Sequence, residues 1–213
     1  RKESSAASDV YKRQGKTNVI GCTLTAFQKC ESITDIVVVC RSQDEEEIRK
    51  TADSLGITKL HGFAQGGSTR QQSVINGLRK ISPDTEMIAV HDGARPLVNP
   101  AHIEKTIKDA SVFGGAVLGV PVKDTIKIVH DGLIEDTPHR PSLYITQTPQ
   151  VFKRRLYFEG VDFALEHELD FTDDCQLMEA IGVKVCMTTG DYKNIKITTP
   201  EDIKIAQLLL QED

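Results

Sequence analysis

Short apolar runs alternating with capped amphipathic stretches constrain this chain more than any other feature. Ile36–Cys40 (IVVVC) is a continuous apolar run of strand length, and Ser42-Gln-Asp-Glu45 follows as a capping box opening a helix to about Leu55. The unit then repeats. Gly66-Gly67 precede a second box, Ser68-Thr-Arg-Gln71, and a helix to about Ile81, after which residues 87–91 (MIAVH) read as a strand. Asn99-Pro100 supply an N-cap and a first-turn proline for a helix ending near Gly114, and residues 116–120 form the next strand. Strands buried on both faces by crossover helices form a parallel sheet. The pattern predicts a doubly wound, Rossmann-like α/β fold with a mostly parallel sheet.

The rhythm breaks between Pro121 and Pro149. There residues 123–129, a His130-Asp131-Gly132 turn and residues 133–136 predict a hairpin-like arm. The chain then returns to helices at 153–167 and 173–181, a strand at 183–188, and a last helix capped by Thr199-Pro200-Glu201-Asp202. Residues 1–14 (RKESSAASDVYKRQ) are polar, small and aperiodic. They read as a non-native leader, which leaves residues 15–213 as the domain.

Composition narrows the function. The 213 residues carry 26 Lys+Arg against 31 Asp+Glu, a net charge of −5 with no basic block. This argues against a nucleic-acid binder, whose affinity rests on neutralising many phosphates. Cys22, Cys30, Cys40, Cys175 and Cys186 are scattered, with neither a C-x-x-C pair nor a paired Cys/His spacing, so zinc and disulfide frameworks are not expected. No run approaches the ~18 apolar residues of a membrane helix, and no secretion signal stands at the start. A cytoplasmic protein without a membrane partner is expected.

Candidate chemistry gathers at a few places. In His91-Asp92-Gly93-Ala94-Arg95-Pro96 a strand ends directly in Asp. Ligands of open α/β sheets bind outside the carboxyl ends of strands, where Asp92 can reach an ion. The alternative is that Asp92 caps a turn and Arg95 pairs with it. Gly66-Gly67 lead straight into a helix that carries Arg70 and Ser73, a place receptive to polar or anionic ligands, although two glycines also simply make a turn. Lys123 to Lys127, Arg140 with Thr148-Pro149-Gln150, and Asn194 to Thr198 concentrate cationic and hydroxyl groups. Lys196 stands among isoleucines, which positions a cation at the edge of a core, although a lysine there also simply snorkels from a strand. His91 reads as a packed histidine. Neither a G-x-G-x-x-G after a strand nor a P-loop, H-E-x-x-H or G-x-S-x-G is present, so redox, P-loop, zinc-peptidase and serine-hydrolase readings lack their fingerprints.

In order, GGSTRQQSVINGL (66–78), HDGARP (91–96), PVKDTIK (121–127), TQTPQVF (146–152), FTDDCQLMEAIG (171–182) and NIKITTPED (194–202) resemble the 2-C-methyl-D-erythritol 4-phosphate cytidylyltransferase family, from about Gly15 onward. The sister ribitol 5-phosphate cytidylyltransferases are similar in the TQTPQ-like and NIKIT-like segments, but PVKDTIK and Ala94 are closer to the methylerythritol enzymes. The resemblance implies a nucleotide-diphospho-sugar transferase type of fold and Mg²⁺-dependent transfer of CMP from CTP to the sugar-alcohol phosphate. It implies cytidine binding by Gly66, Gly67 and Ser73, Mg²⁺ held by Asp92, and catalytic cations at Lys196 and Arg140. Arg95, Thr125 and Thr172 would grip the acceptor, and residues 123–146 would form a dimerisation arm placing Thr125 or Arg95 in the partner's site.

One departure stands out. The family opens with a central strand, an A-A-G-x-G-x-R phosphate loop and a downstream Lys, none of which precedes Gly15 here. Groups that stabilise transition-state charge are worth ~3 kcal/mol each, so little or no activity is expected of the chain as written, and unpaired strand edges are expected to destabilise it. The rival class is a non-catalytic nucleotide-binding or interaction homologue. A glycosyltransferase would need a D-x-D, and Asp92 is followed by Gly93-Ala94.

Overall fold

The computed structural model describes residues 13–14 and 17–211. Apart from Arg13 and Gln14, the leader reading falls outside them. Strands β1 (Arg13–Gln14) and β2 (Thr17–Asn18) pair antiparallel and lead into helix α1 (Val19–Lys29), where Asn18 Oδ1 accepts the Gly21 N–H at 2.9 Å. That side chain satisfies one of the amides a helix start leaves open. Next come β3 (Ile36–Cys40), α2 (Glu45–Ser54), β4 (Leu60–Gln65), α3 (Arg70–Leu78) and β5 (Met87–Val90). Helix α4 (Pro100–Phe113) starts on the expected Asn99 cap and stops at Gly114, whose φ of 95° suits a residue without Cβ.

The second half contains β6 (Gly115–Pro121), the hairpin β7 (Ile128–His130) and β8 (Leu133–Asp136), and β9 (Tyr144–Lys153). Helices α5 (Arg154–Glu166) and α6 (Asp174–Ala180), strand β10 (Cys186–Thr189) and helix α7 (Pro200–Gln211) complete it. The main sheet has the order β10-β6-β9-β5. Strands β10 and β6 pair in parallel, and β9 runs against both β6 and β5, so three strands share one direction. A separate parallel pair, β3-β4, stands beside it.

Alternation along the strands sends side chains to two cores. On one face Ile88, Val117 and Phe152 pack with Ile75 of α3, Tyr157 of α5 and Met178 of α6. On the other, Ala89 and Leu118 pack with Phe27 of α1 and Ile103 of α4. Helices on both faces make the doubly wound arrangement that the sequence rhythm predicts.

Several boundaries differ from expectation. Thr69, not Ser68, caps α3, its Oγ1 accepting the Gln72 N–H at 3.1 Å. Residues Ser42–Asp44 form a 3₁₀ turn, and no side chain caps α2. In the hairpin only Ile128–His130 is a strand, because Asp131 (φ 48°) and Gly132 (φ 80°) make a tight two-residue turn that fixes short partners. Helix α1 and strands β4 and β9 were not anticipated.

Candidate active site

The carboxyl end of β5 carries the site. Past Val90 the chain turns, with the Arg95 N–H donating to the Asp92 carbonyl at 3.0 Å. The turn is held from below by a directional chain of hydrogen bonds. The Asp92 N–H donates to Thr148 Oγ1 at 3.1 Å, Thr148 meets His91 Nδ1 at 3.0 Å, and His91 Nε2 meets the Arg95 carbonyl at 3.2 Å. The carbonyl can only accept, so His91 is the Nε2–H tautomer and Thr148 donates to Nδ1. His91 also packs on the Phe27 ring at 4.8 Å between centroids, and burial pushes its pKa down to about 4. It is a neutral support for the turn.

On that turn Asp92 Oδ2 receives two cations, Lys196 Nζ at 3.1 Å and Arg95 Nε at 3.3 Å. Burial pushes the Asp92 carboxyl up, but Lys196 first and Arg95 next more than offset it, leaving its pKa below the usual carboxylate range. Lys196 arrives from the segment after β10, where the Ile197 N–H donates to the Ala94 carbonyl at 2.8 Å and buried Asn194 donates to the Thr148 carbonyl at 3.0 Å. Arg95 donates to the Asn194 carbonyl at 2.8 Å. Its guanidinium therefore fastens the two segments together. Lys196 keeps about half its side chain exposed, whereas that of Arg95 is 12% exposed.

The Gly66-Gly67 turn stands beside this group. The Gly66 N–H donates to the Cys40 carbonyl at 3.0 Å, and the Gly67 N–H to Ser73 Oγ at 2.9 Å. A Cβ on Gly67 would stand 2.9 Å from the Gln72 carbonyl carbon, so only glycine lets the turn lie this close to α3. One cavity is lined by Ser73, Arg70, His91, Asp92 and Gly93. Arg70 reaches from it to Asp174 at 2.5 Å, and Tyr157 Oη donates to the same carboxylate at 2.6 Å. Burial opposes the charge on Arg70, yet the Asp174 partner holds its pKa above the ordinary value. Gln71 adds two bonds to the neighbouring loop, to the Leu169 carbonyl and from the Phe171 N–H, each at 2.9 Å. The start of α3 is thereby stitched to the loop that presents Thr172. The sequence offered no signal for Arg70–Asp174, whose members are 104 positions apart.

A model of the family described as 2-C-methyl-D-erythritol 4-phosphate cytidylyltransferase matches residues 3–212. The chain belongs to this family. The enzyme of that name from Syntrophotalea carbinolica is 40% identical over 212 residues, 99% of this chain and 91% of the relative. The one from Caldanaerobacter subterraneus subsp. tengcongensis is 41% identical over 98% of this chain and 93% of its own length. Among solved structures, 4-diphosphocytidyl-2C-methyl-D-erythritol synthase from Anaerococcus prevotii superposes with a TM-score of 0.86 at 33% identity, covering 93% of this chain and 88% of its own.

The chain is thus a nucleotidyltransferase of the cytidylyltransferase family, with its sequence-derived residues in two groups. Asp92, Arg95 and Lys196 meet directly, Ser73 and Arg70 line the same cavity as Asp92, the Gly67 N–H bonds to Ser73, and Arg70 bridges to Asp174, two residues past Thr172. Arg140 and Thr125 sit apart, at the base of the hairpin. Arg140 Nη1 donates to the Lys123 carbonyl at 3.2 Å, and Lys123 Nζ lies 3.6 Å over the Tyr192 ring, in the loop leading to Lys196. Among the described residues no cluster of three His, Cys, Asp or Glu could enclose a metal. A single carboxylate such as Asp92 still suits Mg²⁺, which is commonly held by one or two carboxylates together with substrate phosphates. The cysteines are free, and burial holds each thiol above its ordinary pKa, Cys30 at about 12, so none is a thiolate nucleophile at neutral pH. Among the described residues no helix is long and apolar enough to cross a membrane.

Proposed function

We propose that this chain transfers CMP from CTP to 2-C-methyl-D-erythritol 4-phosphate, releasing pyrophosphate for isoprenoid precursor synthesis in the cytoplasm. The observation that carries the reading is the Asp92–Lys196 pair at the carboxyl end of β5, beside the Gly66-Gly67 turn. An oxygen of the acceptor phosphate attacks the α-phosphorus of CTP in line, and the bond to the bridging oxygen of pyrophosphate breaks. Such a reaction is governed by positioning and charge neutralisation. Gly66, Gly67 and Ser73 take the cytidine moiety. Lys196 leaves Asp92 for the α-phosphate, and Asp92 is the carboxylate that would hold a divalent cation, Mg²⁺, which when bound would supply further neutralisation of phosphate charge. Arg95 holds the Asp92 turn in place. Thr172, Thr125 and Arg140 grip the acceptor, Thr125 from the arm of a partner subunit.

Dimer formation through the hairpin is supported by its surface, since Ile128, Val129, Leu133 and Ile134 are all exposed. Pairs of such strands are marginal alone in water.

The test is pyrophosphate release from CTP with methylerythritol phosphate or ribitol 5-phosphate as acceptor. It is run on the chain as given and on the chain joined to an A-A-G-x-G-x-R segment. Joining should raise turnover about 100-fold or more, the worth of one charge-stabilising group. Methylerythritol phosphate should be the preferred acceptor. Equal or better use of ribitol phosphate would overturn the substrate assignment, and CTP binding without turnover in the joined chain would favour the non-catalytic reading.

A further inference from the structure

Residues 169–173 join α5 to α6 without regular structure, and Thr172 stands among them. Backbone groups outside helices and sheets need partners from elsewhere when they are shielded from water. Two buried glutamines supply them here, one on each side of Thr172 in the chain. Gln71, 9% exposed, reaches over from α3. Its Nε2 donates to the Leu169 carbonyl and its Oε1 accepts the Phe171 N–H, each at 2.9 Å. One side-chain amide thus takes both backbone groups that a neighbouring parallel strand would take from this stretch. Gln150, 2% exposed, reaches over from β9. Its Nε2 donates to Asp173 Oδ2 at 2.7 Å, and its Oε1 accepts the Cys175 N–H at 3.1 Å. A carbonyl only accepts and a backbone N–H only donates, so these partners leave each amide a single orientation.

The two clamps close on either side of Thr172 and leave its own side chain unclaimed. Thr172 is exposed, and its Oγ1 stands 3.5 Å from Gln176 Oε1, longer than an ordinary O–H···O bond. Each clamp is rooted in a part of the site. Gln71 directly follows Arg70, which lines the cavity beside Asp92. Gln150 stands opposite Val90 and Val117 in the main sheet, two residues past Thr148, whose Oγ1 accepts the Asp92 N–H. Aliphatic side chains would fill the same buried space. What the amides add is direction, because satisfied buried polar groups fix one arrangement of the segments they join.

We propose that Gln71 and Gln150 are positioning residues for the acceptor. Together they set the Thr172 hydroxyl where it receives the sugar-alcohol phosphate, and neither touches a substrate itself. This role depends on Thr172 gripping the acceptor, as proposed above, and names what orients that grip. A displacement of about 1 Å at a binding group costs on the order of 100-fold where the reaction depends on its placement. Loss of either clamp is therefore read in the use of the acceptor and not in the use of CTP.

The experiment compares the joined chain with its Gln71→Met and Gln150→Met variants in steady-state pyrophosphate release. Methionine is unbranched and flexible like glutamine but makes neither bond. In each variant the KM for methylerythritol phosphate should rise about tenfold or more, while the KM for CTP changes by less than about twofold. In a Thr172→Val background the same substitutions should change the acceptor KM by less than about twofold, because the hydroxyl they act through is gone. A side chain that merely held the fold together would raise both KM values, and in either background, and that result would overturn the proposal. An unchanged acceptor KM in both variants would overturn it too, with cytidylyl transfer intact. No turnover by the unsubstituted joined chain would instead overturn the transfer reading, and this role with it. A measurement on the unsubstituted chain covers a variant that does not fold. The Phe171 N–H, held by Gln71, should exchange about tenfold or more slowly than that of Thr172, and equal rates would overturn the clamp.

Discussion

His91 shows how surroundings turn a titratable side chain into a structural one. Burial drops its pKa to about 4, whereas in the unfolded chain it titrates near its ordinary 6.5. Between those values the unfolded state binds the proton and the folded state does not, so stability rises with pH and is lost on acidification through this window. From pH 7 to pH 4.5 the loss should be about 2 kcal/mol, allowing for the partial exposure of the ring. Urea midpoints at the two pH values check this, and His91→Asn should flatten the difference. Asp92 and Glu104 add little to the window above pH 4.5. Both have pKa values below the ordinary carboxylate range, Glu104 at about 2, so what they contribute begins to be lost near the ordinary carboxylate values, at the acid edge of the window, and mostly below pH 4.5. The sequence made His91 legible as a packed residue, because it ends an apolar run. That it orients the Asp92 turn was not legible, since its partner Thr148 lies 57 positions away.

At the scale of elements, the capped helices and apolar strands were legible because local chemistry specifies them. Asn99 accepts the Ala101 N–H, Pro100 opens α4 and Gly114 closes it, all within one stretch of chain. Strand β9 is the opposite case. It lies between β6 and β5, yet it contains Pro149 and buries Gln147, Thr148 and Gln150, a composition that reads as a loop. Tertiary partners satisfy these polar groups. Gln147 donates to the Asp191 carbonyl at 2.7 Å, and Gln150 donates to Asp173 at 2.7 Å while accepting the Cys175 N–H at 3.1 Å. A pattern based on hydrophobicity cannot see partners that only the fold supplies. The same holds for the link between α3 and α6. Arg70→Met should leave the Asp174 carboxylate, 3% exposed, without its cation and cost about 3 kcal/mol in urea denaturation, the usual penalty for breaking one side of a buried pair. A loss below about 0.5 kcal/mol would mean that Tyr157 alone suffices.

At the scale of the whole molecule, the hairpin and the site make one prediction together. Leu133 and Ile134 are 75% and 65% exposed and belong to no core cluster among the described residues, so the proposed dimer predicts that a second copy covers them. Leu133→Asp combined with Ile134→Asp should convert a dimer to a monomer in sedimentation equilibrium while leaving the melting of the α/β body nearly unchanged. Persistence of dimer mass would assign the interface elsewhere. The doubly wound body was legible from rhythm alone. The gathering of Asp92, Arg95 and Lys196 was legible only in part, because Lys196 is placed by Asn194 and Ile197 bonds to a turn about 100 positions earlier.

The central claim is that the Lys196 ammonium, parked 3.1 Å from Asp92, is the cation that neutralises the reacting phosphate. The most direct measurement is steady-state pyrophosphate release by the joined chain and its Lys196→Gln variant, with melting temperature recorded for both. The account predicts a fall in kcat of about 100-fold or more with little change in melting. An unchanged kcat would contradict it and leave Lys196 as no more than a surface partner of Asp92.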